Sequence, residues 1–140
     1  MIVLDTNVLS EGDKPQPDRL VLQWFRRQDP LALYLCGPVT MEQSYGAERF
    51  HLRTGSDRYL KTFDRMIDRF RGRILEFSGD APAAAGRLRA VRERAGRPIS
   101  VNDSMIAAIC LAHGATLATR NARDFEGLGL KLVNPFEPAG

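Results

Sequence analysis

Oxygen-bearing side chains follow several apolar segments of this chain. Asp5 comes directly after residues 2–4, and Asn121 follows an apolar segment near the end. Glu42 and Asp103 are predicted to lie in the first turns of two helices. Carboxylates gathered at one edge of a sheet repel one another unless a cation lies between them, and their hard oxygen atoms favour Mg²⁺ or Mn²⁺ over zinc. The pattern therefore predicts a magnesium site, with Mn²⁺ as the alternative ion.

Each of these residues also has an ordinary structural interpretation. Asp5 or Asn7 can cap the helix that follows, since both residue types are favoured at that position. Thr6 and Asn7 can be turn formers, or they can position Asp5 or a metal-bound water. An acidic residue in a first helical turn is stabilised by the helix dipole even when it has no chemical role. These alternatives stay open at the level of single residues.

Strands and helices alternate along the sequence, which predicts an α/β fold. We expect a central, mainly parallel sheet of four or five strands, with crossovers of one hand. Apolar runs mark strands at 2–4, 31–36, 74–77, 115–119 and 130–133. Two capping boxes, Thr40–Gln43 and Ser100–Asp103, mark helix starts. In a parallel sheet ligands bind beyond the carboxyl ends of the strands, so the acidic residues are expected to meet at one edge.

Length and composition limit the class of protein. The 140 residues predict one domain, 1–140, with 44% apolar and 26% charged residues. No apolar run approaches the length of a membrane span, and the start of the chain lacks the features of a signal peptide. We therefore expect a cytoplasmic protein without membrane association, in which Cys36 and Cys110 are reduced and packed.

Other catalytic classes lack their usual motifs. No glycine-rich phosphate loop follows a strand, which disfavours the common nucleotide-binding enzymes. His51 and His113 lie in predicted helices without evident partners, so neither a Ser-His-Asp nor a Cys-His arrangement is indicated.

Basic residues are concentrated in two segments. Between Arg49 and Arg73 there are eight basic and three acidic residues, and between Arg87 and Arg97 there are five arginines and one glutamate. Arg87 and Arg94 are predicted to lie off the apolar Leu88–Val91 face of their helix. They are candidates for RNA binding, because cations beside an acidic site suit a polyanionic substrate. The alternative is a solvated helix face.

Large apolar side chains exceed what one helix face needs for packing. Tyr59, Phe63 and Met66 recur at three- and four-residue steps, and Trp24 and Phe25 lie on an earlier predicted helix. These five residues predict a groove for an amphipathic partner helix, with burial in the core as the alternative, above all for Phe63.

Four motifs together resemble the PIN-domain ribonucleases, specifically the VapC- and FitB-like toxins of bacterial toxin-antitoxin pairs. They are I-V-L-D-T-N-V-L-S-E at the start, M-E-Q-S-Y-G-A after the second strand, N-D-S-M-I-A-A in a later helix and A-T-R-N-A-R-D-F near the end. The resemblance implies an α/β/α sandwich, Asp5, Glu42 and Asp103 as the main acids of a Mg²⁺-dependent site that cleaves RNA, and a small antitoxin partner with a DNA-binding domain. We also expect a homodimer.

The chain departs from the pattern of this family at two places. Where these toxins often have a fourth acid, this chain has Asn121, with Asp124 three residues later. Gln43 replaces the leucine that usually follows the glutamate. The departures support an alternative hypothesis: a weakly active or inactive PIN-fold partner of a DNA-binding antitoxin that acts in promoter autoregulation.

Overall fold

The computed structural model describes residues 1–139 and has a five-stranded sheet at its centre. Gly140, the last residue of the predicted domain, lies outside the described residues. The strands are β1 (Ile2–Leu4), β2 (Leu33–Cys36), β3 (Ile74–Leu75), β4 (Thr116–Ala118) and β5 (Lys131–Val133). Their spatial order is β3-β2-β1-β4-β5, and every neighbouring pair is parallel. The expected parallel α/β architecture is confirmed, with β1 in the central position.

Six α-helices and two short 3-10 helices connect the strands. The α-helices are α1 (Thr6–Glu11), α2 (Arg19–Arg26), α3 (Gly37–Thr54), α4 (Arg58–Arg69), α5 (Ala81–Arg94) and α6 (Val101–His113). The 3-10 helices are Pro30–Ala32 and Ala122–Phe125. Within residues 1–139, no helix has both the length and the apolar character needed to cross a membrane.

Four of the five strands are shorter than the apolar runs suggest: β4 lacks one residue at each end of its run, β5 lacks the first residue of its run, and β2 and β3 differ as follows. The run that starts at Leu31 begins as a 3-10 helix, because the Asp29 carboxylate accepts a hydrogen bond from the Leu31 N–H at 3.0 Å and Pro30 fits the first helical turn. The run at 74–77 pairs with β2 only through Ile74 and Leu75. Both expectations were correct in kind and too long in extent.

Successive strand residues pack on opposite faces of the sheet. Val3 and Leu117 belong to a core cluster with α5 and α6, whereas Leu4 and Ala118 belong to a second cluster with α2 and the end of α4. All four side chains are almost fully buried. The strands are therefore covered on both faces, as the uninterrupted apolar runs predict.

The connections place several helix starts at the carboxyl edge of the sheet. Helices α1 and α3 begin directly after β1 and β2. Helix α6 ends at His113 and leads into the beginning of β4, so the N-terminal end of α6 lies near the same edge. This arrangement brings the segments that carry the acidic residues together.

Candidate acidic site at the carboxyl edge of the sheet

Asp5 has two roles that the sequence left as alternatives. Its Oδ1 accepts a hydrogen bond of 2.8 Å from the Thr6 backbone N–H and caps α1, while Oδ2 accepts one of 2.8 Å from the hydroxyl of Thr119. The residue is buried, with 7% of its surface exposed. Asp5 is thus an N-cap and at the same time a carboxylate fixed at the centre of the sheet edge.

The surroundings of Asp5 act on its protonation in opposite directions. Burial raises its pKa above the ordinary aspartate value, and the hydrogen bonds from Thr119 and Thr6 lower it. The negative charges of Glu42 and Asp124 raise the pKa further. The net effect is a raised pKa, so a cation nearby would favour the ionised form.

Thr119 is a site residue that the sequence patterns did not single out. It is fully buried at the end of β4, and its hydroxyl accepts a hydrogen bond of 3.1 Å from the Asn121 N–H while donating to Asp5. Thr119 therefore joins β1 to the segment that follows β4. The available signal was the polar Thr-Arg pair directly after an apolar strand.

Asp103 lies where the second capping box predicts. Ser100 caps α6, and its hydroxyl accepts a hydrogen bond of 3.0 Å from the Asp103 N–H. Burial raises the pKa of Asp103, and the negative charge of Asp5 raises it further, followed by smaller contributions from Asp124 and Glu42. The charge of Asp5, in a distant sequence segment, thus influences the ionisation of Asp103.

Glu42 lies in the second turn of α3, so the expected capping box at Thr40 is wrong. The helix begins at Gly37, because Pro38 fits a first turn in which its missing N–H is not needed. The Thr40 hydroxyl instead donates to the Cys36 carbonyl oxygen at 3.1 Å, inside the helix. The first-turn dipole interpretation therefore does not apply to Glu42.

Asn102 holds the Glu42 side chain and was also missed by the sequence patterns. Its amide Nδ2 donates a hydrogen bond to Glu42 Oε1, which joins α6 to α3. Its other amide atom, Oδ1, is buried and has no hydrogen-bond partner within residues 1–139. Asn102 precedes Asp103, so one helical turn serves two acids of the site.

Gln43 forms a hydrogen bond that joins α3 to α1. Its side-chain amide donates a hydrogen bond of 2.8 Å to the hydroxyl of Ser10. This polar replacement therefore has a partner, and the local packing is bridged by a hydrogen bond.

Asn121 and Asp124 differ in what they contribute. Asn121 is exposed after β4 and carries no charge, while Asp124 lies in the following 3-10 helix and donates its N–H to the Asn121 carbonyl oxygen at 3.0 Å. The charge of Asp124 raises the pKa of both Asp5 and Asp103. Asp124 thus acts electrostatically on the site although it is outside the position of the usual fourth acid.

A buried arginine fixes the segment that carries Asp124. Arg92 is 8% exposed, and its guanidinium donates to the carbonyl oxygens of Arg97 at 2.7 Å, Asp124 at 3.2 Å and Glu126 at 3.4 Å. In sequence Arg92 is one of five neighbouring arginines, and nothing in that pattern distinguishes it. These contacts also place the C-terminal end of α5 at the carboxyl edge.

Thr6 and Asn7 contact the site differently from the expectation. Thr6 reaches Asp5 through its backbone N–H, and its hydroxyl is buried without a hydrogen-bond partner in the described part of the chain. The Asn7 side-chain oxygen accepts a hydrogen bond of 3.0 Å from the Arg120 N–H. Asn7 therefore positions the segment after β4 and has no hydrogen bond to Asp5.

The donor set has the chemistry of a site for a hard divalent cation. Asp5, Glu42, Asp103 and Asp124 offer carboxylate oxygens, and the charges of Glu42 and Asp124 raise the pKa of both Asp5 and Asp103. Among residues 1–139, no three His, Cys, Asp or Glu side chains are already grouped closely enough to enclose an ion. The chemistry of these oxygen donors fits a hard divalent cation such as Mg²⁺ or Mn²⁺.

The buried cysteines and the histidines are not part of this site. Cys36 and Cys110 are buried and unpaired by disulfide, as expected. Burial raises the pKa of the Cys36 thiol to about 12, which keeps it protonated and unreactive near neutral pH. The His51 ring nitrogen Nδ1 lies 3.2 Å from the Ser56 carbonyl oxygen at the end of α3.

A groove of about 1210 Å³ extends from the site along α3 and α4. Phe25, Tyr59, Phe63 and Met66 line it and are half-buried. Trp24 does not line the groove: it is 7% exposed in the core, with its ring edge against Phe25. The prediction for Trp24 was therefore wrong, because its position on α2 faces the sheet.

The buried face of α5 differs from the face that the sequence pattern predicts. Arg87 and Arg94 are exposed, as predicted. Val91, expected on the apolar side, is 65% exposed, whereas Ala85 and Arg92 are buried. The buried face is therefore rotated relative to the Leu88–Val91 pattern, because Arg92 packs inward against backbone carbonyls.

Known proteins resemble this chain over nearly its whole length. A family model described as PIN domain matches residues 2–129. The chain is 38% identical to VapC ribonuclease Y4jK of Sinorhizobium fredii, over 99% of this chain and 100% of that protein. It is 30% identical to Toxin FitB of Neisseria gonorrhoeae, over 97% and 99%. The structure of FitAB bound to an IR36 DNA fragment superimposes with a TM-score of 0.90 at 30% identity, covering 100% of this chain and 99% of that one.

Proposed function

Because the chain belongs to the PIN-domain family of VapC- and FitB-like ribonuclease toxins, we propose that it is a metal-dependent endoribonuclease toxin. It cleaves RNA phosphodiester bonds at the acidic site, in the cytoplasm, and a small antitoxin with a DNA-binding domain neutralises it. The observation that supports this function best is the gathering of four acids from separate segments, Asp5, Glu42, Asp103 and Asp124, at one sheet edge, where the charges of Glu42 and Asp124 raise the pKa of both Asp5 and Asp103.

In this proposal, Asp5 and Asp103 are the principal metal ligands, and Glu42 assists them. Asp124 contributes charge in place of the usual fourth acid, and Asn121 is a neutral oxygen ligand or orients a water. Mg²⁺ is the proposed ion, with Mn²⁺ as a substitute, since both prefer oxygen ligands.

The side chains around the acids prepare them for this chemistry. A bound divalent ion supplies an activated water and neutralises charge on the phosphate and the leaving oxygen. The Thr119 hydroxyl holds Asp5 by donating to Oδ2, which favours the ionised carboxylate. Asn102 fixes one oxygen of Glu42. The protein therefore orients its acids before substrate arrives, so that less order must be gained during the reaction.

The function is tested by cleavage of a structured, end-labelled RNA by the purified protein with Mg²⁺, and again with EDTA. We expect cleavage only with the metal. Asp5→Asn and Asp103→Asn should each lower the rate by roughly 100-fold or more, since even supporting residues of metal sites contribute about 10- to 100-fold. Asp64→Asn is the matched control, because Asp64 is an exposed carboxylate on α4.

Two results would contradict parts of this assignment. If Asp5→Asn or Asp103→Asn cleaves as fast as the wild type, the assignment of these ligands is wrong. If the wild type binds an antitoxin but neither binds Mn²⁺ nor cleaves RNA with Mg²⁺, the alternative of a PIN-fold partner in promoter autoregulation is favoured instead.

RNA approaches the site past the exposed arginines of α5 in this proposal. Arg87 and Arg94 contribute charge to the rim, and neither makes a salt bridge within residues 1–139. Their joint replacement by alanine should reduce the salt dependence of RNA binding with little change in thermal unfolding. If the salt dependence of RNA binding is unchanged, Arg87 and Arg94 only form a solvated helix face.

The antitoxin docks an amphipathic helix in the groove, and an arginine of the partner occupies the cation position of the acidic pocket. Phe25, Tyr59, Phe63 and Met66 supply the apolar wall. Phe63→Ala, shown to be folded by circular dichroism, should bind the antitoxin more weakly. Asp5→Asn should retain most of the affinity and lose the charge-assisted contact. Normal partner binding by folded Phe63→Ala would exclude this residue from the interface.

We also propose a homodimer, supported by exposed apolar residues of α3. Met41, Tyr45 and Leu52 are 58%, 56% and 77% exposed at helical spacings, so they form a stripe beside Glu42. Leu52→Glu should shift the mass measured by light scattering towards the monomer, while Leu111→Glu, at an exposed leucine of α6, should not.

A further inference from the structure

Two side chains hold the backbone of Arg120, although the residue is exposed. It follows Thr119, whose hydroxyl contacts Asp5. The Arg120 N–H donates to Asn7 Oδ1 at 3.0 Å, and its carbonyl oxygen accepts a hydrogen bond of 3.3 Å from the amide of Asn134. The residue is thus held between α1 and the segment after β5, at the same sheet edge as the acids.

The Arg120 side chain is also held, by an aromatic ring. Its guanidinium carbon lies 4.5 Å from the ring centroid of Phe136. Asn134 places that ring as well, since its Oδ1 accepts a hydrogen bond of 3.0 Å from the Phe136 N–H. None of the salt bridges within residues 1–139 involves Arg120, so its donors are not occupied by a carboxylate.

A cation beside the acidic site would offset the repulsion between its carboxylates and the RNA backbone. Four carboxylates at the sheet edge repel the phosphates that flank the bond to be cleaved, and a metal ion compensates only where it is bound. An arginine is suited to an adjacent phosphate because its planar donors match the phosphate oxygens. Stacking on Phe136 restricts the side chain beforehand, so less conformational entropy is lost on binding.

We propose that Arg120, stacked on Phe136, binds a phosphate of the RNA substrate adjacent to the one at the acidic site. This inference rests on the proposed function, since it names the part of the same substrate that a further residue contacts. Phe136 and Asn134 are positioning residues, because they act on RNA through Arg120.

Binding of a labelled single-stranded RNA, measured by fluorescence anisotropy in EDTA at several salt concentrations, tests the proposal without cleavage. Loss of one phosphate contact should reduce the slope of log K against log salt by about 0.7 in Arg120→Ala. Arg120→Lys keeps the charge and should retain most of the slope. Phe136→Leu also keeps the charge, so it should retain the slope while the affinity falls several-fold.

Arg58 provides the matched control. Its guanidinium lies 4.6 Å from the ring centroid of Tyr59 and also donates a hydrogen bond of 2.8 Å to the Tyr59 hydroxyl, so Arg58→Ala removes the same charge from another aromatic contact. Arg58 follows the 18-residue helix α3, whose length of about 27 Å leads away from the carboxyl edge. The slope of Arg58→Ala should equal that of the wild type.

Three outcomes would overturn the proposal: an unchanged slope in Arg120→Ala, an equal decrease in Arg58→Ala, or wild-type affinity in Phe136→Leu. Either of the first two results would show that Arg120 makes no specific phosphate contact, and the third would show that the Phe136 ring does not contribute to RNA binding. Failure of the proposed function is recognised separately, because it appears as absent cleavage by the wild-type protein with Mg²⁺.

Discussion

The two oxygens of the Asp5 carboxylate have separate hydrogen-bond partners, and this division makes the residue both structural and chemical. Thr6 N–H binds Oδ1 and fixes the start of α1, while the Thr119 hydroxyl binds Oδ2 and links β1 to β4. Burial, together with the negative charges of Glu42 and Asp124, nevertheless raises the pKa of Asp5 more than these bonds lower it. Removing one of the bonds should therefore change the pH range in which the carboxylate is ionised.

Replacement of Thr119 by valine tests this at the residue scale. The change keeps the side-chain shape but removes both the donor to Asp5 and the acceptor of the Asn121 N–H. The Asp5 pKa should therefore rise further, and the acid limb of the pH-rate profile should move to higher pH. A hydrogen bond to a charged group contributes about 1.5–3 kcal/mol, which corresponds to a loss of roughly tenfold or more in cleavage rate on that limb.

Thr119→Ser should restore the profile, because it restores the hydroxyl. Thr62→Val is the control for loss of a threonine hydroxyl elsewhere, since the Thr62 hydroxyl bonds within α4, donating to the Arg58 carbonyl oxygen and accepting from the Arg65 guanidinium. A slower Thr119→Val enzyme with an unshifted profile would mean that Thr119 supports the fold without tuning Asp5.

At the scale of elements, the two expected capping boxes show what local patterns can predict. Ser100 caps α6 as expected, because Gly96 and Pro98 separate it from α5 and no earlier residue offers a start. Thr40 does not cap α3, because Pro38 allows the helix to begin directly after β2. Both motifs fit equally well in sequence, and the competing start signal decided between them.

The contact between α3 and α6 depends on one amide, which allows stability and activity to be separated. Asn102→Ala removes the donor that orients Glu42 and also removes a buried oxygen without a partner. The two effects on folding oppose each other, so the free energy of unfolding should change by less than about 1 kcal/mol. Cleavage should fall roughly tenfold, as for loss of a residue that supports a metal ligand.

Asn102→Asp provides the contrasting change at the same position. Its carboxylate would face Glu42 without a proton to donate, so like-charge repulsion should lower both stability and activity at neutral pH. Urea unfolding and cleavage rates measure the two effects. Equal rates for wild type and Asn102→Ala would show that Glu42 needs no positioning by α6.

For the whole molecule, the sequence predicted the layers and the edge at which the acids meet, but not all the residues that hold them. Asp5 and Asp103 could be predicted from the sequence because each is marked by a local signal, a strand end for Asp5 and a capping box for Asp103. Thr119, Asn102 and Arg92 were not, because their partners lie 114, 60 and 32 residues away in sequence. Such contacts follow from the strand order, with β1 between β2 and β4, which hydrophobic periodicity does not encode.

The gathering of acids also has a consequence for the stability of the whole protein. Burial and neighbouring charges raise the pKa of Asp103 in the folded protein. Its protonated carboxyl therefore stabilises the fold fully below about pH 3.9, the ordinary aspartate value, and this stabilisation is lost as pH rises through the raised pKa. Without metal at neutral pH, Asp103→Asn should therefore melt a few degrees higher than the wild type. This difference should disappear below about pH 4.

Added Mg²⁺ should reverse the order, because the acids that destabilise the free protein are the proposed ligands. At a free concentration 100 times the dissociation constant, a ligand specific for the folded state stabilises it by about 2.7 kcal/mol. The wild type should gain most of this and Asp103→Asn much less, while Asp64→Asn, at an exposed site on α4, should follow the wild type throughout.

Scanning calorimetry with EDTA and with Mg²⁺ measures both arms. A lower melting temperature of Asp103→Asn in EDTA would show that repulsion does not dominate the site, whereas an equal gain with Mg²⁺ would exclude Asp103 as a ligand.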